Sequence, residues 1–525
     1  MVKLRAELEQ MKAQVSSLLP QTSPTSASES IPSSANTDKE EGISETDEQA
    51  SIPKDTTPTS ARTAGDITVL PWQIDAAFEV FFQNIHPMLP FVTQSTPNRC
   101  YSREPFLFWA ICVLGLRSVA PGLAHALCPF VHAEALHAPH RSCHNQIAAT
   151  DVVQGLLLLS MWPFKSPSLL HESVWLHCGS ATHLALHIGL HQPHSASEFV
   201  PKYRRDFLPV SQFRRTWIAC YVVNSLVSFA RGYPSTIRAD FNLIKYSRST
   251  PSQLSIQPEL FKYLLIARRI EEGQELGSPQ SVPYGQIDPG SRAGICGLLK
   301  ARIAETEENI SKPSLSPIMR VFLTATKMLP VMQALQSTSP LPLQETEVLQ
   351  AFELAGQLIC QAEIVQKEIN RVYFPVFIDG MVLISVLLIL KIQISRFSGL
   401  VDQRRGQYLI EKACKYYRDG VNDFSTIPAR LTQFMDGVRT MVAENCFPAG
   451  GFVIEKAKCH YSQNILYEFL WEFYEWKRLA VGAAEFQEAP PLPNDTGISM
   501  VSFLDLEQLD ADFWQMLSYT NGTNH

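Results

Sequence analysis

The chain has 525 residues, of which 45% are hydrophobic and 18% are charged. This composition is typical of a globular protein with a sizeable core and roughly two to four domains, which excludes a fibrous or wholly disordered chain. The formal net charge of −7 also excludes the strongly basic signature of a simple nucleic-acid-binding domain. The charge is uneven: residues 20–65 carry −5 and residues 479–525 carry −7, whereas residues 66–478 carry +4. Two acidic flanks therefore enclose a mildly basic body.

The cysteines and the apolar runs indicate the cellular compartment of the protein. The eleven cysteines contain no Cys-x-x-Cys pair, and their number is odd, so we expect reduced, mostly buried thiols. No apolar signal core follows the first residues. The longest apolar run, 381–390, is shorter than the roughly 20 residues that cross a bilayer. We therefore expect a soluble intracellular protein without membrane contact.

Residues 1–19 are predicted to form a short coiled coil. The spacing of their apolar residues alternates between four and three, which is the 3.5-residue period of a coiled-coil seam. Pro20 then ends the helix. Two interpretations stay open, namely pairing with a second chain or an amphipathic helix docked on its own body. The residues of the predicted dimerisation seam are Leu4, Leu8, Met11, Val15 and Leu18.

Residues 20–65 are predicted to be a disordered, acidic linker. Of these 46 residues, 22 are Ser, Thr or Pro and none is aromatic. Such a segment cannot bury enough apolar surface to offset the entropy lost on ordering the chain.

The body over 70–480 is predicted to be all-α, because apolar residues recur at helical spacing and strand-like alternation beside Asn-Gly or Asp-Gly turns is absent. Segment 106–116 is apolar nearly all round and should be a buried helix. We expect Asp151 to cap the helix that follows it, and the Gly-, Pro- and Ser-rich residues 275–316 to form a long loop. The predicted helices cover 106–116, 152–162, 174–188, 213–231, 258–272, 319–329, 345–370, 381–397, 407–419 and 464–479.

The tail, 481–525, is predicted to be an activation segment. It combines bulky apolar residues with acids and contains no basic residue, which is typical of a disordered segment that folds on a coactivator groove. The alternative is a terminal helix packed on the protein's own core. The predicted activation residues are Leu506, Leu509, Phe513, Trp514, Met516 and Leu517.

No catalytic motif is present: the sequence lacks Gly-x-Ser-x-Gly, a Walker loop, a dinucleotide fingerprint and His-Glu-x-x-His. Eleven of the 14 histidines fall within 125–194. His183, His187 and His191 are spaced four apart, and two histidines at that spacing can share a zinc ion. The alternative function is therefore a metal-dependent helical enzyme that uses this segment. The other interpretation of the histidines is that they are surface and half-buried side chains that bind no metal.

The adjacent loop adds irregularly spaced candidate ligands, namely Cys128, His132, His137, His140, Cys143 and His144.

Two basic pairs are candidates for nucleic-acid contact, namely Arg204-Arg205 and Arg214-Arg215. They could form a nucleic-acid patch, but the apolar run after Trp217 favours arginines that pair on a core helix.

Several segments, taken in order, resemble the middle homology region of fungal zinc-cluster transcription factors. The set combines a leucine-rich run, Gly-Leu-His, Arg-Arg-Thr-Trp and Gly-x-Pro. It looks most like the branch that holds the extracellular-protease activator and the leucine-biosynthesis and weak-acid-response regulators. The motifs cover about 70–240, and 240–480 matches by helical character only. The segments are 86–91, 106–111, 156–163, 185–191, 214–221 and 231–234.

The resemblance implies a six-cysteine zinc cluster, a linker, a coiled coil, a helical regulatory domain and an acidic activator. This sequence contains the last three in that order but no zinc cluster, since its first cysteine is Cys100. Either an exon upstream of Met1 was missed, or the chain is a regulator without its own cluster. We therefore assign no catalytic, metal-binding or DNA-contacting residue, and no cofactor.

The sequence thus predicts a nuclear regulator of fungal type and not an enzyme. It would be an activator of a metabolic, secreted-protease or secondary-metabolite gene set, and it could sense a small metabolite. Its expected partners are a second copy or a zinc-cluster regulator, and coactivators of the transcription machinery. DNA would be contacted only through a partner or a missing module.

Overall fold

The computed structural model describes residues 57–164, 173–199, 209–277, 289–311, 315–335, 345–420, 427–444 and 464–481. Over these ranges it contains seventeen α-helices, a few short 3₁₀ or π segments and one two-stranded hairpin. The predicted all-α class is therefore confirmed. The predicted coiled coil and the predicted activation tail lie outside the described residues.

The first half of the described body contains seven α-helices. Their bounds are Pro71–Val80 (α1), Pro97–Arg103 (α2), Pro105–Val119 (α3), Pro121–Ser142 (α4), Gln146–Met161 (α5), Val174–His187 (α6) and Val210–Arg231 (α7). Helix α3 is buried along most of its length, as its apolar sequence predicted. It packs against α1, α4 and α5, and it is the centre of this half because each of its faces meets another helix.

The second half contains ten α-helices. Their bounds are Phe241–Ser247 (α8), Pro251–Leu254 (α9), Pro258–Gly277 (α10), Pro289–Ile310 (α11), Pro317–Leu335 (α12), Glu345–Glu368 (α13), Val376–Ile394 (α14), Gln403–Asp419 (α15), Ile427–Ala443 (α16) and Asn464–Val481 (α17). Helix α14 packs against α13, α15, α16 and α17. Helix α7 contacts α5 and α6 on one side and α10 and α14 on the other, so it joins the two halves.

A short hairpin precedes α1. Strand Arg62–Ala64 (β1) pairs antiparallel with Ile67–Val69 (β2), with Ala64 opposite Ile67. The turn between them contains Gly65, whose φ of +57° suits a two-residue hairpin loop. The sequence did not predict this hairpin, because three residues per strand are too few to show a two-residue period. Its first strand lies within 20–65, the segment predicted to be disordered.

The loop predicted over 275–316 is wrong for its second part, which is helix α11. The buried side chains of α11 recur at spacings of three and four, and this helical face was hidden by the glycines and prolines around it. They are Cys296, Leu299, Ile303, Thr306 and Ile310.

Helix α4 also occupies a segment for which the sequence predicts a loop. It continues through Pro129 and Pro139, although proline removes a backbone hydrogen bond from a helix interior. One face of α4 is buried against α3 and α5, and this burial favours the helix over a loop. The residues of that face are Ala124, Leu127, Val131, Ala135 and Ala138.

The cap predicted at Asp151 is wrong. Helix α5 begins earlier, and its N-cap is Asn145, whose side chain accepts from the backbone N–H groups of Ile147 and Ala148. Asp151 is instead buried within α5 and forms an ion pair with Arg103 of α2. Burial raises the pKa of Asp151 to about 6, although the Arg103 guanidinium acts in the opposite direction.

The apolar run 381–390 is part of a longer helix, α14, because the charged residues on either side of it do not end the helix. Asp379 accepts from the Tyr416 hydroxyl at 2.8 Å and forms an ion pair with Arg371. Lys391 forms a buried ion pair with Glu468 of α17 at 2.9 Å. Helices α13 and α14 are long and apolar enough to cross a membrane, but 83% of the apolar window of α14 is buried inside this protein.

The contact between α1 and α3 depends on Gly115. A Cβ atom at this position would lie 2.0 Å from the backbone oxygen of Ala77, a contact that requires the two helices to separate. We expect Gly115→Ala to destabilise the protein by about 1–3 kcal/mol, the usual cost of overpacking a core. The measurement is the midpoint of thermal unfolding, followed by helical circular dichroism.

Gly179→Ala is the matched control, because Gly179 lies inside α6 and a Cβ there would meet nothing within 4 Å. Alanine at an open helical position should stabilise by about 0.5–1 kcal/mol. Equal midpoints for the two variants would contradict the close approach of α1 and α3.

Candidate functional site

The residues proposed for dimerisation and activation lie outside the described residues, so their roles stay predictions. They are Leu4, Leu8, Met11, Val15 and Leu18 in the seam, and Leu506, Leu509, Phe513, Trp514, Met516 and Leu517 in the tail.

The three histidines considered for zinc do not form one face of a helix. His183 and His187 are exposed on α6, which ends at His187. His191 lies beyond that end and packs edge-on against Phe199 and Trp217, with ring centroids 5.3 and 6.0 Å away. The ring of His191 therefore packs against α7 and does not lie beside the side chains of His183 and His187.

The other candidate ligands are spread along α4 and the turn after it. His132 meets His177 of α6 with ring centroids 5.8 Å apart. Burial lowers the pKa of His177 to about 4, and the charge of His132 acts in the same direction. In the ranges that the structure describes, no three His, Cys, Asp or Glu side chains converge as a metal site would require.

The arginine pair at the start of α7 belongs to the core rather than to a nucleic-acid surface. Arg214 is 5% exposed; its Nη1 donates to the carbonyl oxygen of Leu254 at 2.7 Å, and its guanidinium lies over the Tyr246 ring. Arg215 donates to the Thr93 hydroxyl at 2.7 Å. Arg214 and Arg215 therefore pair on a core helix, which is the second of the two interpretations left open by the sequence. Arg204 and Arg205 lie outside the described residues.

The next residues of the motif connect α7 to its neighbours. Thr216 is fully buried, and its hydroxyl accepts from the amide of Gln154 in α5 at 2.9 Å. The indole N–H of Trp217 donates to the carboxylate of Asp240 at 3.0 Å, and that carboxylate also caps α8. The polar residues of the motif therefore determine how α5, α7 and α8 pack, because buried polar groups require partners.

The two motif glycines end helices. Gly189 follows α6 with a φ of +80°, and Gly232 follows α7 with a φ of +67°. In both cases the next N–H reaches back to a carbonyl five residues earlier, as in a Schellman motif. Glycine adopts these conformations at the lowest cost. The family motif thus describes helix ends and core contacts.

A charged groove that the sequence did not predict lies between α8, α10 and α11 and has a volume of about 330 Å³. The sequence does contain one indication of the groove, because two arginines and two glutamates follow closely on one helix, as Arg268-Arg269 and Glu271-Glu272. The second helix of the groove, α11, falls in the segment 275–316, for which the sequence predicts a loop. The charged residues that line the groove are Arg248, Arg268, Arg269, Arg302, Glu272 and Glu305.

Comparison with known proteins identifies the region that contains the motifs. Residues 78–250 match the fungal specific transcription factor domain. The chain is 22% identical over 453 residues to the transcriptional regulatory protein SEF1 of Candida albicans, covering 83% of this chain and 48% of that protein. It is 27% identical over 286 residues to the regulatory protein LEU3 of Saccharomyces cerevisiae, covering 51% of this chain and 32% of that protein. No solved structure matches.

These matches confirm the resemblance inferred from the motifs: residues 78–250 are similar to the domain of the fungal transcription factor family. Proteins of that family are transcription factors and not enzymes. The chain spans less than half the length of the two curated relatives.

We expect Arg214→Gln to lower the stability by about 1–3 kcal/mol, because it leaves the buried carbonyl of Leu254 without its charged donor. The midpoint of thermal unfolding measures this effect. Retention of the protein on non-specific duplex DNA, measured in parallel, should not change.

Arg238→Gln is the control, because Arg238 is 85% exposed and its ion pair with Glu275 is 4.0 Å long. Its effect on stability should stay within about 0.5 kcal/mol. If Arg214→Gln instead preserved the midpoint and weakened DNA retention, the nucleic-acid interpretation would be correct.

Proposed function

We propose that this chain is a nuclear transcriptional activator of fungal type that acts through pairing, a helical regulatory domain and an acidic tail. The observation that carries the proposal is the match of residues 78–250 to the fungal specific transcription factor domain. It is supported by the names of the two relatives, which are a transcriptional regulatory protein and a regulatory protein. The gene set that it would control is a metabolic, secreted-protease or secondary-metabolite set.

The order of segments supports the same proposal. An apolar seam, an acidic linker, a helical body and an acidic-aromatic tail follow one another along the sequence. In this arrangement the seam selects a partner chain and the tail recruits a coactivator.

Contact with DNA is the step for which this sequence supplies no module, because it contains no six-cysteine cluster. Sequence-specific readout needs side chains placed in a groove of the duplex. We propose that these side chains come from a zinc-cluster module, either on a regulator paired through residues 1–19 or in a part of the protein outside these 525 residues. A cofactor bound by this chain itself is not required by the proposal.

The tail is tested with the full chain fused to an unrelated DNA-binding domain, with a reporter gene as readout. Removing residues 481–525 should abolish most of the activation. Phe513→Ala with Trp514→Ala should do nearly the same, because aromatic anchors usually dominate such interfaces.

Asp510→Asn with Asp512→Asn is the matched control, since it removes charge from the same segment and keeps the aromatic anchors. It should reduce activation less, because acids mainly speed the encounter and keep the segment soluble. Full reporter activity after the aromatic pair is removed would show that the tail is not the activator.

The seam is tested by Leu8→Asn with Val15→Lys in the full chain. Each substitution places a polar group in an apolar interface, so association with a second copy or with a zinc-cluster partner should weaken. Sedimentation at micromolar concentration and co-purification measure the two cases. The control is Glu7→Gln with Glu9→Gln, which changes residues outside the seam. Unchanged association in the seam variant would favour a helix docked on its own body.

A further inference from the structure

The groove between α8, α10 and α11 contains more positive than negative charge. Its lining has four arginines and two glutamates. Counting also the buried Glu271, which pairs with Arg268 at 2.5 Å, the positive charges still exceed the negative ones by one. We propose that this groove binds a small organic anion that carries carboxylate or phosphate groups.

One carboxylate in the groove is shared by three guanidinium groups. Glu272 lies 2.9 Å from Arg269, 3.2 Å from Arg302 and 3.6 Å from Arg268. A guanidinium has five N–H donors in a fixed fork, so three guanidinium groups carry more donors than one carboxylate can accept. Glu272 Oε2 is itself buried and receives no hydrogen bond from a described residue, so these ion pairs leave donors of the arginines unused. The unused donors are suited to a second planar or tetrahedral anion.

Arg269 is half-buried in the groove. Its Nε atom is buried and finds no hydrogen-bond partner within the described part of the chain. Burial lowers the pKa of Arg269, and the positive charges of Arg268 and Arg302 act in the same direction. An additional negative group in the groove would relieve both the missing hydrogen bond and the repulsion.

The remaining wall of the groove also fits a small anion. Arg248 is exposed at the end of α8 and forms no salt bridge with a described residue. Ser247, Thr306 and Asn309 add neutral polar side chains to the lining. The volume of about 330 Å³ lies at the lower end of small-molecule sites, which suits a metabolite rather than a polymer.

The groove is connected to the buried core by Arg268. Arg268 pairs with Glu271, whose carboxylate also accepts from the Tyr221 hydroxyl at 2.5 Å and from the backbone N–H of Ala239 at 2.7 Å. Tyr221 lies on α7, the helix that joins the two halves of the body. An anion that draws the Arg268 guanidinium into the groove therefore acts on a side chain of the same cluster that positions α7 against α10.

Binding is tested with the full chain by thermal unfolding in the presence of sodium succinate, phosphate or pyrophosphate. Sodium chloride keeps the ionic strength constant, and 1,4-butanediol is the uncharged counterpart of succinate. A ligand that binds the folded state raises the midpoint in a saturable way. We expect at least one of the three anions to do so, and the succinate and phosphate arms distinguish the two kinds of anionic group.

Arg269→Gln with Arg302→Gln should weaken the affinity for the anion about tenfold or more, because the double substitution removes two charged donors. Arg320→Gln with Arg404→Gln is matched in charge, lies on the exposed faces of α12 and α15, and should leave the affinity within about twofold. If the first pair prevents folding, Arg248→Gln serves in its place, because its side chain is exposed and its loss should weaken binding without moving the unliganded midpoint.

The proposal is overturned if no anion gives a saturable shift with a Kd of about 1 mM or tighter. It is also overturned if the groove variants bind as the control variants do. The measurement does not involve transcription, so a negative result here leaves the proposed function standing.

Discussion

The need to satisfy buried polar groups on α7 determines how the helices of this protein pack. Helix α7 is buried along most of its length but carries polar side chains throughout its sequence. A buried polar group without a partner costs about 1–3 kcal/mol. Ser225 finds its partner within α7, the carbonyl oxygen of Tyr221, whereas other polar side chains of the helix bond to neighbouring elements. Thr216 selects Gln154 of α5 and Tyr221 selects Glu271 of α10. The orientation of one helix therefore depends on contacts with several others.

The same constraint extends past the end of α7. The side-chain oxygen of Asn224 accepts from the backbone N–H of Thr236 at 3.0 Å and from the hydroxyl of Ser235 at 2.9 Å. These bonds bring the chain after Gly232 back along the helix. In the second half, α14 follows the same rule with Asp379 and Lys391, which are buried with partners on neighbouring segments. The charged residues of this apolar helix therefore bind partners within the protein.

The family motif gains a physical meaning from these contacts. Residues 214–217 look like a basic patch in the sequence, yet they hold α5, α7, α8 and the carbonyl at the end of α9 together. The charged side chains that are suited to bind a ligand lie elsewhere, on α10 and α11, largely beyond the matched region 78–250. A domain whose motif maintains the scaffold can change its ligand without changing its fold, because the two sets of residues differ.

Local signals in the sequence were sufficient for the helical class, for the buried helix α3 and for the helix ends at Gly189 and Gly232. Periodicity and the conformational freedom of glycine act over a few residues, so they can be read without knowing the fold. The family could be recognised for the same reason, since its motifs are short and occur in order.

Only the tertiary structure decided the role of Asp151, the continuation of α4 through its prolines and the existence of α11. Asp151 has a capping side chain by type, but Arg103, a residue 48 positions away, makes it a buried ion-pair partner. Burial against α3 and α5 favours a helix at Pro129 and Pro139, although local propensity disfavours it. The charged groove was equally hidden, because its arginines come from helices that meet only after folding. Contacts between distant residues decide these features, and the local patterns that accompany α11 and the groove did not suffice to predict them.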